Sequence, residues 1–299
     1  MAVTLKEAFE SGEGLRSYCW ENQVTIAEAM QRREEQTSGR SREDIREEMT
    51  WNLEVMRESV NEGLSSKRQS VSGLTGGESG ILYKYGKYNP YSGNNACRAA
   101  AAAMAVVEVN ASMGKICAAP TAGASGVLPG VLIESARERD WTDEQLVDAL
   151  FTAGAIGMLF AENATISGAG GGCQAETGVA SAMAAAAIVE LSGGAPIQAL
   201  DAAAMTIKNV LGLICDPVAG LVECPCIKRN ALGAVNALIC ADMALAGITS
   251  LIPFDEVVST MLMVGKDIRP EYRETAKGGL ATTPTGKKVA ERVRRMQGE

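Results

Sequence analysis

The sequence predicts an all-α fold: a compact bundle of buried Ala/Gly-rich helices behind an N-terminal charged helical segment. Three observations carry this. The chain is 46% hydrophobic yet only 4% aromatic and holds 32 glycines, so its interior must be built from small side chains. Long alanine-rich segments are apolar over much of their circumference, the pattern of buried helices. Clusters of β-branched and aromatic residues with period two, which would mark strands, are missing.

The elements follow in order. Residues 1–70 carry 24 charges, 10 basic and 14 acidic, against 10 charges in residues 151–250. This first part reads as a charged helical segment packed on the body of the protein. Thr25 caps a run from Ile26 to Met30. Ser41-Arg42-Glu43-Asp44 is a capping signature ahead of Ile45, Met49, Leu53, Met56 and Val60, which recur at helical spacing. The composition shift near residue 70 predicts a second unit, 71–299, as one continuous helical domain. Residues 71–98, rich in glycine, tyrosine and asparagine, read as a loop bordering a site. Helices are then expected at 97–118, 142–163, 177–192, 195–213, 230–251 and 254–266. The short Gly/Pro/Thr/Ser loops between them hold the chemically informative residues.

Composition excludes several functions. A net charge of −8 argues against nucleic acid, whose phosphates an acidic surface repels. The first residues hold early acids and no apolar run, so no signal peptide is expected. The apolar stretch from Val179 to Val189 is too short to span a bilayer. The expected compartment is the cytoplasm, where eight cysteines are free thiols or metal ligands rather than a disulfide framework. Histidine is absent, so imidazole can serve neither as base nor as ligand.

Three cysteines stand out. Cys173 ends the run Gly168-Ala169-Gly170-Gly171-Gly172. Cys215 opens Cys215-Asp216-Pro217, and Cys226 closes Glu223-Cys224-Pro225-Cys226. Cys173 and Cys215 are 42 residues apart, Cys215 and Cys226 are 11 apart. Such wide spacing requires separate helix ends to converge, unlike the tight spacing of ferredoxins. Three thiolates suggest an iron–sulfur cluster with one iron open to substrate; structural zinc on Cys173, Cys215, Cys224 and Cys226 is the alternative.

With these motifs assembled, the chain resembles the α subunit of the iron–sulfur-dependent bacterial L-serine dehydratases over nearly its whole length. The resemblance rests on Thr75-Gly76-Gly77-Glu78, on the segment from Cys117 through Pro120-Thr121-Ala122-Gly123-Ala124-Ser125-Gly126 to Gly130, and on Asn163 to Glu176. It extends through Cys215-Asp216-Pro217-Val218-Ala219-Gly220, Pro225-Cys226-Ile227-Lys228-Arg229-Asn230 and Gly278 to Gly286. It implies that Cys173, Cys215 and Cys226 hold a [4Fe–4S] cluster, that no pyridoxal phosphate is used, and that L-serine is the substrate. Single-chain members carry a smaller β domain ahead of this region, so the resemblance also implies a separate β-subunit partner. Some members place a C-terminal cysteine on the fourth iron. This chain ends Met296-Gln297-Gly298-Glu299, so that iron is expected to be open, with Cys117, Cys224 or a partner residue as alternatives.

Dehydration needs a base for the Cα proton. Lys228, Ser125 and Thr121 are the expected catalytic residues, with Glu223, Glu176 and Ser167 also near the motifs. Thr121, Ala122, Gly123, Ser125, Gly126, Asn163 and Ser167 are the expected substrate-binding residues, because a Thr/Ser/Gly loop offers amides to a carboxylate. The same hydroxyls serve commonly as helix caps, and Lys228-Arg229 reads equally as an exposed helix-start pair. Three rivals remain: a related lyase acting on cysteine, a pyridoxal-phosphate enzyme, and a non-catalytic metal-binding sensor subunit. The pyridoxal-phosphate rival needs a Schiff-base lysine. None of Lys84, Lys87, Lys115, Lys208, Lys228 and Lys266 stands in such a motif.

Overall fold

Helix starts are written into the sequence as hydroxyl caps. Thr4, Ser11, Thr25, Ser41 and Thr142 each accept a hydrogen bond from the backbone N–H three residues on, which satisfies a donor the helix itself cannot. The computed structural model describes residues 3–67 and 69–297. The N-terminal part holds α1 (Leu5–Ala8), α2 (Gly12–Asn22), α3 (Ile26–Ser38) and α4 (Arg42–Ser65). After these come α5 (Glu78–Tyr85), α6 (Asn94–Ala111), α7 (Val127–Arg139), α8 (Asp143–Asn163) and α9 (Gly168–Gly171). The chain closes with α10 (Val179–Leu191), α11 (Pro196–Lys208), α12 (Cys226–Leu245), α13 (Phe254–Asp267) and α14 (Pro284–Gln297). Among the described residues the only strand-like pairing is an isolated bridge between Cys215 and Arg273. The all-α expectation is borne out.

Several boundaries differ from expectation, each for a local reason. Residues 71–98 are not all loop: α5 and the start of α6 lie within them. α5 forms because a distant carboxylate, described below, caps it where its own sequence supplies only Gly77. α7 was not expected. Pro129 falls in its first turn, where a missing N–H costs nothing. The helix expected to reach residue 118 stops at Ala111, since Met113 adopts a left-handed conformation. The helix expected from residue 230 begins at Cys226. α8 is a 21-residue helix apolar enough to cross a membrane by length and composition, which the sequence reading overlooked. Two thirds of its most apolar window (67%) is buried inside the protein, as befits a core helix.

Two helices sit at the centre. α6 packs against α4, α5, α7 and α12, and α10 packs against α7, α8, α11 and α12. Every residue of α10 from Val179 to Val189 is buried. One hydrophobic core includes Leu15, Leu53 and Val60 from the first 70 residues together with Val106, Phe151, Ala185 and Met261 from the rest. Small residues let backbones touch. A methyl group on Gly63 of α4 would lie 2.3 Å from the Ala105 carbonyl oxygen of α6, and one on Gly126 would lie 1.9 Å from that of Ala103. Neither position admits a Cβ without moving a helix.

Carboxylates from distant segments satisfy further donors at three helix starts. Glu190, at the end of α10, accepts from the amides of Ile26 (2.7 Å) and Ala27 (3.0 Å), and from the Thr152 hydroxyl. Asp255 accepts from Gly12 and Glu13 at the start of α2. Glu108 of α6 accepts from Gly77 (3.1 Å) and Ser79 (3.0 Å) at the start of α5. Each acid meets a positive helix end and ties two parts of the chain together. Glu190→Ala is expected to lower stability by about 1–3 kcal/mol, because it strands two helix-start donors and a buried hydroxyl. Chemical denaturation should show a lower midpoint at unchanged slope; an unchanged midpoint would count against the cap.

Candidate functional site

The three cysteines come from three different local structures. Ser167 caps the short α9 by accepting from the Gly170 amide (3.0 Å). Gly172 then turns the chain with φ +77°, where a Cβ would lie 2.7 Å from the Leu213 carbonyl. That turn delivers Cys173. The chain continues into one π-turn, Gln174–Gly178, before α10. The wider turn replaces the α-helix start expected at Thr177, and π-turns recur at functional sites. Cys215 is held on both sides of its backbone by the C-terminal segment: its amide donates to Tyr272 O and its carbonyl accepts from Glu274 N, both at 2.8 Å. Cys226 is the first residue of α12.

These residues converge. The Cys173 and Cys215 sulfurs and a Glu176 carboxylate oxygen lie within 4.8 Å of one another, all buried. Cys226, also buried, lies outside that tightest set but near enough for its charge to act on Cys215 and that of Cys173 to act on it. A hydrogen bond from the Cys215 thiol and the nearby Arg229 guanidinium draw the Cys173 thiol below its ordinary value, against the opposing effect of burial. The Cys215 thiol is correspondingly raised, first by that same bond and then by burial. Burial pushes the Cys226 thiol up to about 12. Burial also raises Glu176, partly offset by its bond from Thr121.

Arg229 is the cation of the site. Its side chain is only 15% exposed. It donates to Cys173 Sγ (3.3 Å), to the Ile214 carbonyl (2.8 Å) and to Asp216 Oδ1 (2.8 Å). The other Asp216 oxygen accepts from the Leu280 amide at 2.8 Å. One ion pair thus connects Cys173, the Cys215 turn, α12 and the C-terminal segment. The neighbouring Lys228 points the other way. Its side chain is 68% exposed and pairs with Glu78 Oε2 at 2.9 Å.

The Thr121–Gly126 loop reaches the same centre. Thr121 Oγ1 donates to Glu176 Oε1 (2.8 Å), and a methyl group on Gly123 would lie 3.4 Å from that oxygen. Asn230, fully buried on α12, clamps the loop by donating to Gly123 O (2.8 Å) and accepting from Gly126 N (3.1 Å). Ser125 is fully buried, and its hydroxyl donates to Ala122 O at 2.8 Å. Ala122 is exposed. Asn163 is exposed, and its amide donates to Leu159 O of its own helix (3.0 Å). Glu223 is buried, and accepts from the hydroxyls of Ser72 and Thr75 at 2.7 Å each. Cys224 is exposed, and Cys117 hydrogen-bonds Asn52 at 3.6 Å.

Sequence reasoning passed over Arg229, Asp216 and Asn230 as site residues, and kept Glu176 only as one base candidate among several. A usable signal was present. Arg229 and Asn230 stand three and four residues after Cys226, so all three share one face of α12.

The donor set fits a metal centre that is rich in sulfur. Three thiols and a carboxylate converge in a buried, histidine-free site beside one cation. At Gly168 a methyl group would lie 3.0 Å from Cys215 Sγ and 2.7 Å from Glu176 Oε2, so the space beside the sulfur exists only because that residue is glycine. Fold and site together define an all-helical protein with a buried thiol centre suited to binding a metal or metal cluster.

Comparison with known proteins carries this further. The family described as serine dehydratase alpha chain matches residues 21–281, and the chain belongs to that family. It is 52% identical over 274 residues to a probable L-serine dehydratase alpha chain of Bacillus subtilis, covering 91% of each chain. It is 44% identical over 272 residues to the L-serine dehydratase alpha chain of Peptoniphilus asaccharolyticus, covering 91% of this chain and 93% of that one. A longer L-serine dehydratase of Streptomyces coelicolor is 40% identical over 295 residues, which is 93% of this chain but 62% of that protein.

Removing Arg229 leaves Asp216 buried without its partner. Arg229→Met is expected to destabilise the chain by about 3–5 kcal/mol, and Asp216→Asn in the same chain should restore part of that loss. A double-mutant cycle read by chemical denaturation measures the coupling. Additive losses would remove the ion pair from its proposed structural role.

Proposed function

We propose that this chain is the catalytic α subunit of an L-serine dehydratase, converting L-serine to pyruvate and ammonia. The observation that carries the reading is the convergence of Cys173, Cys215 and Cys226 on one buried site beside Glu176 and the Thr121–Gly126 loop. The names of the relatives support it. Cys173, Cys215 and Cys226 would hold a [4Fe–4S] cluster, which supplies Lewis acidity at an iron that no cysteine occupies.

The chain's own residues have four tasks. Arg229 places a positive charge against Cys173 and favours its thiolate form. Asn230 fixes the Thr121–Gly126 loop, whose backbone would receive the substrate carboxylate. Asn163 and Ser167 precede the glycine run, where Ser167 caps α9. Thr121 and Glu176 form a hydrogen-bonded pair facing the thiols, and of the expected bases this pair is the best placed to take the Cα proton. Lys228, on its surface salt bridge, is better suited to securing Glu78 and the segment before it.

The balance is simple. Serine loses its Cα proton and its Cβ hydroxyl as water, the resulting enamine tautomerises to an imine, and water releases ammonia and leaves pyruvate. No pyridoxal phosphate enters. The words "alpha chain" in the relatives' names support a separate β subunit, and the charged first 70 residues offer it a surface, with residues 71–299 carrying the chemistry. We place the protein in the cytoplasm, where the thiols stay reduced.

The test is anaerobic purification with and without a β partner, assaying iron, acid-labile sulfide, zinc and serine-dependent pyruvate together. About four irons per chain are expected, with pyruvate release. Cys215→Ala should lose iron and activity together. Bound zinc, or no metal and no pyruvate after cluster reconstitution, would overturn the reading.

A further inference from the structure

A cavity of about 360 Å³ opens between the start of α6, the end of α7 and the far ends of α10 and α12. It is remote from the thiols along the chain. Asp242, which lines it, stands 16 residues after Cys226 on α12, roughly 24 Å along that helix at 1.5 Å per residue.

Three features of the cavity call for a ligand. First, α6 is 18 residues long and begins at Gly93 with no side chain capping it. Asn94, Asn95 and Ala96, whose amides open the helix, line the cavity. Second, Ser135 lines it too, is only 4% exposed, and its hydroxyl has no hydrogen-bond partner. The Asn95 side-chain oxygen, also at the cavity, is buried and unpartnered as well. Unpaired buried polar atoms are costly, and each needs an explanation. Third, Glu138, Arg139 and Asp242 line the cavity, and none makes an ion pair with a described residue.

The charges select the ligand. One guanidinium and about half a positive charge at the α6 start face two carboxylates. A phosphate or other dianion would meet net repulsion. A zwitterion would not: its carboxylate suits Arg139 and the α6 amides, and its ammonium suits Asp242 or Glu138. Trp141, Ile188, Leu238 and Leu245 give the wall an apolar part, and Ser92 and Ser192 complete it.

We propose that this cavity is a second ligand site, for a small α-amino acid with an apolar side chain. The carboxylate binds the N-terminus of α6, Arg139 and Ser135, the ammonium binds the acidic side, and the side chain rests on α10 and α12. The site is independent of the dehydratase reading.

The full chain should be titrated by calorimetry with L-leucine, glycine and inorganic phosphate. L-leucine is expected to bind once per chain and to raise Tm by about 2 °C or more at a hundredfold excess over Kd. Glycine should bind more weakly and phosphate not at all. Ser135→Val and Arg139→Gln should each weaken L-leucine at least tenfold. Arg139 is exposed, so its replacement does not threaten folding. No binding of L-leucine, preference for phosphate, or binding that survives Arg139→Gln would each overturn the proposal.

Discussion

Everything in this protein depends on helices approaching until their backbones touch. α6 can be contacted at once by α4, α5, α7 and α12 only because small residues line it and glycines face it. Gly63 and Gly126 stand where any side chain would strike an α6 carbonyl. Close approach shortens the distance across the bundle, so segments far apart in sequence can share one buried centre. Dense packing of this kind is also unforgiving, since a single methyl group has nowhere to go.

The same economy appears in how the chain satisfies its polar groups. Three helix starts draw on a carboxylate from elsewhere, α2 and α3 in addition to their own hydroxyl caps: Glu190 for α3, Asp255 for α2, Glu108 for α5. Each bond removes an unsatisfied donor and fixes one segment's position relative to another. At the thiol centre the logic is repeated. Asn230 clamps the Thr121–Gly126 loop, and the Arg229–Asp216 pair joins the Cys215 turn to α12 and the C-terminal segment. The site is thus rigid because it lies where these cross-links meet, and the mobile-looking glycine run is held by a cap at Ser167 and by one turn at Gly172.

Much of this was legible before the structure. The hydroxyl caps at Thr25 and Ser41, the alanine-rich helices and the all-α class are local or compositional properties, and they emerged as expected; the caps at Thr4, Ser11 and Thr142 are equally local but were passed over. The cysteines were also legible as a set, because chain-breaking residues border each one. Other features were not. α7 was hidden by Pro129 and Gly130, which read as loop residues although the first turn of a helix tolerates proline. α5 was hidden because its cap is Glu108, which stands 31 and 29 residues after the amides of Gly77 and Ser79 that it accepts from. Glu223 stood near the motifs as a base candidate, yet it is buried against Ser72 and Thr75.

By itself, then, the sequence determined the helical class, several helix starts, and the sulfur-rich, imidazole-free chemistry available to the protein. These follow from residue type and from neighbours three or four positions away. Only the tertiary structure decided which way side chains face and which of them meet. It turned Arg229 inward to Cys173 and Lys228 outward to Glu78, although they are adjacent in the chain. It set Thr121 against Glu176 across 55 residues. The physical reason is that such pairings depend on the rotation of each helix about its axis. That rotation is set by packing against several partners at once, which no local run of residues encodes.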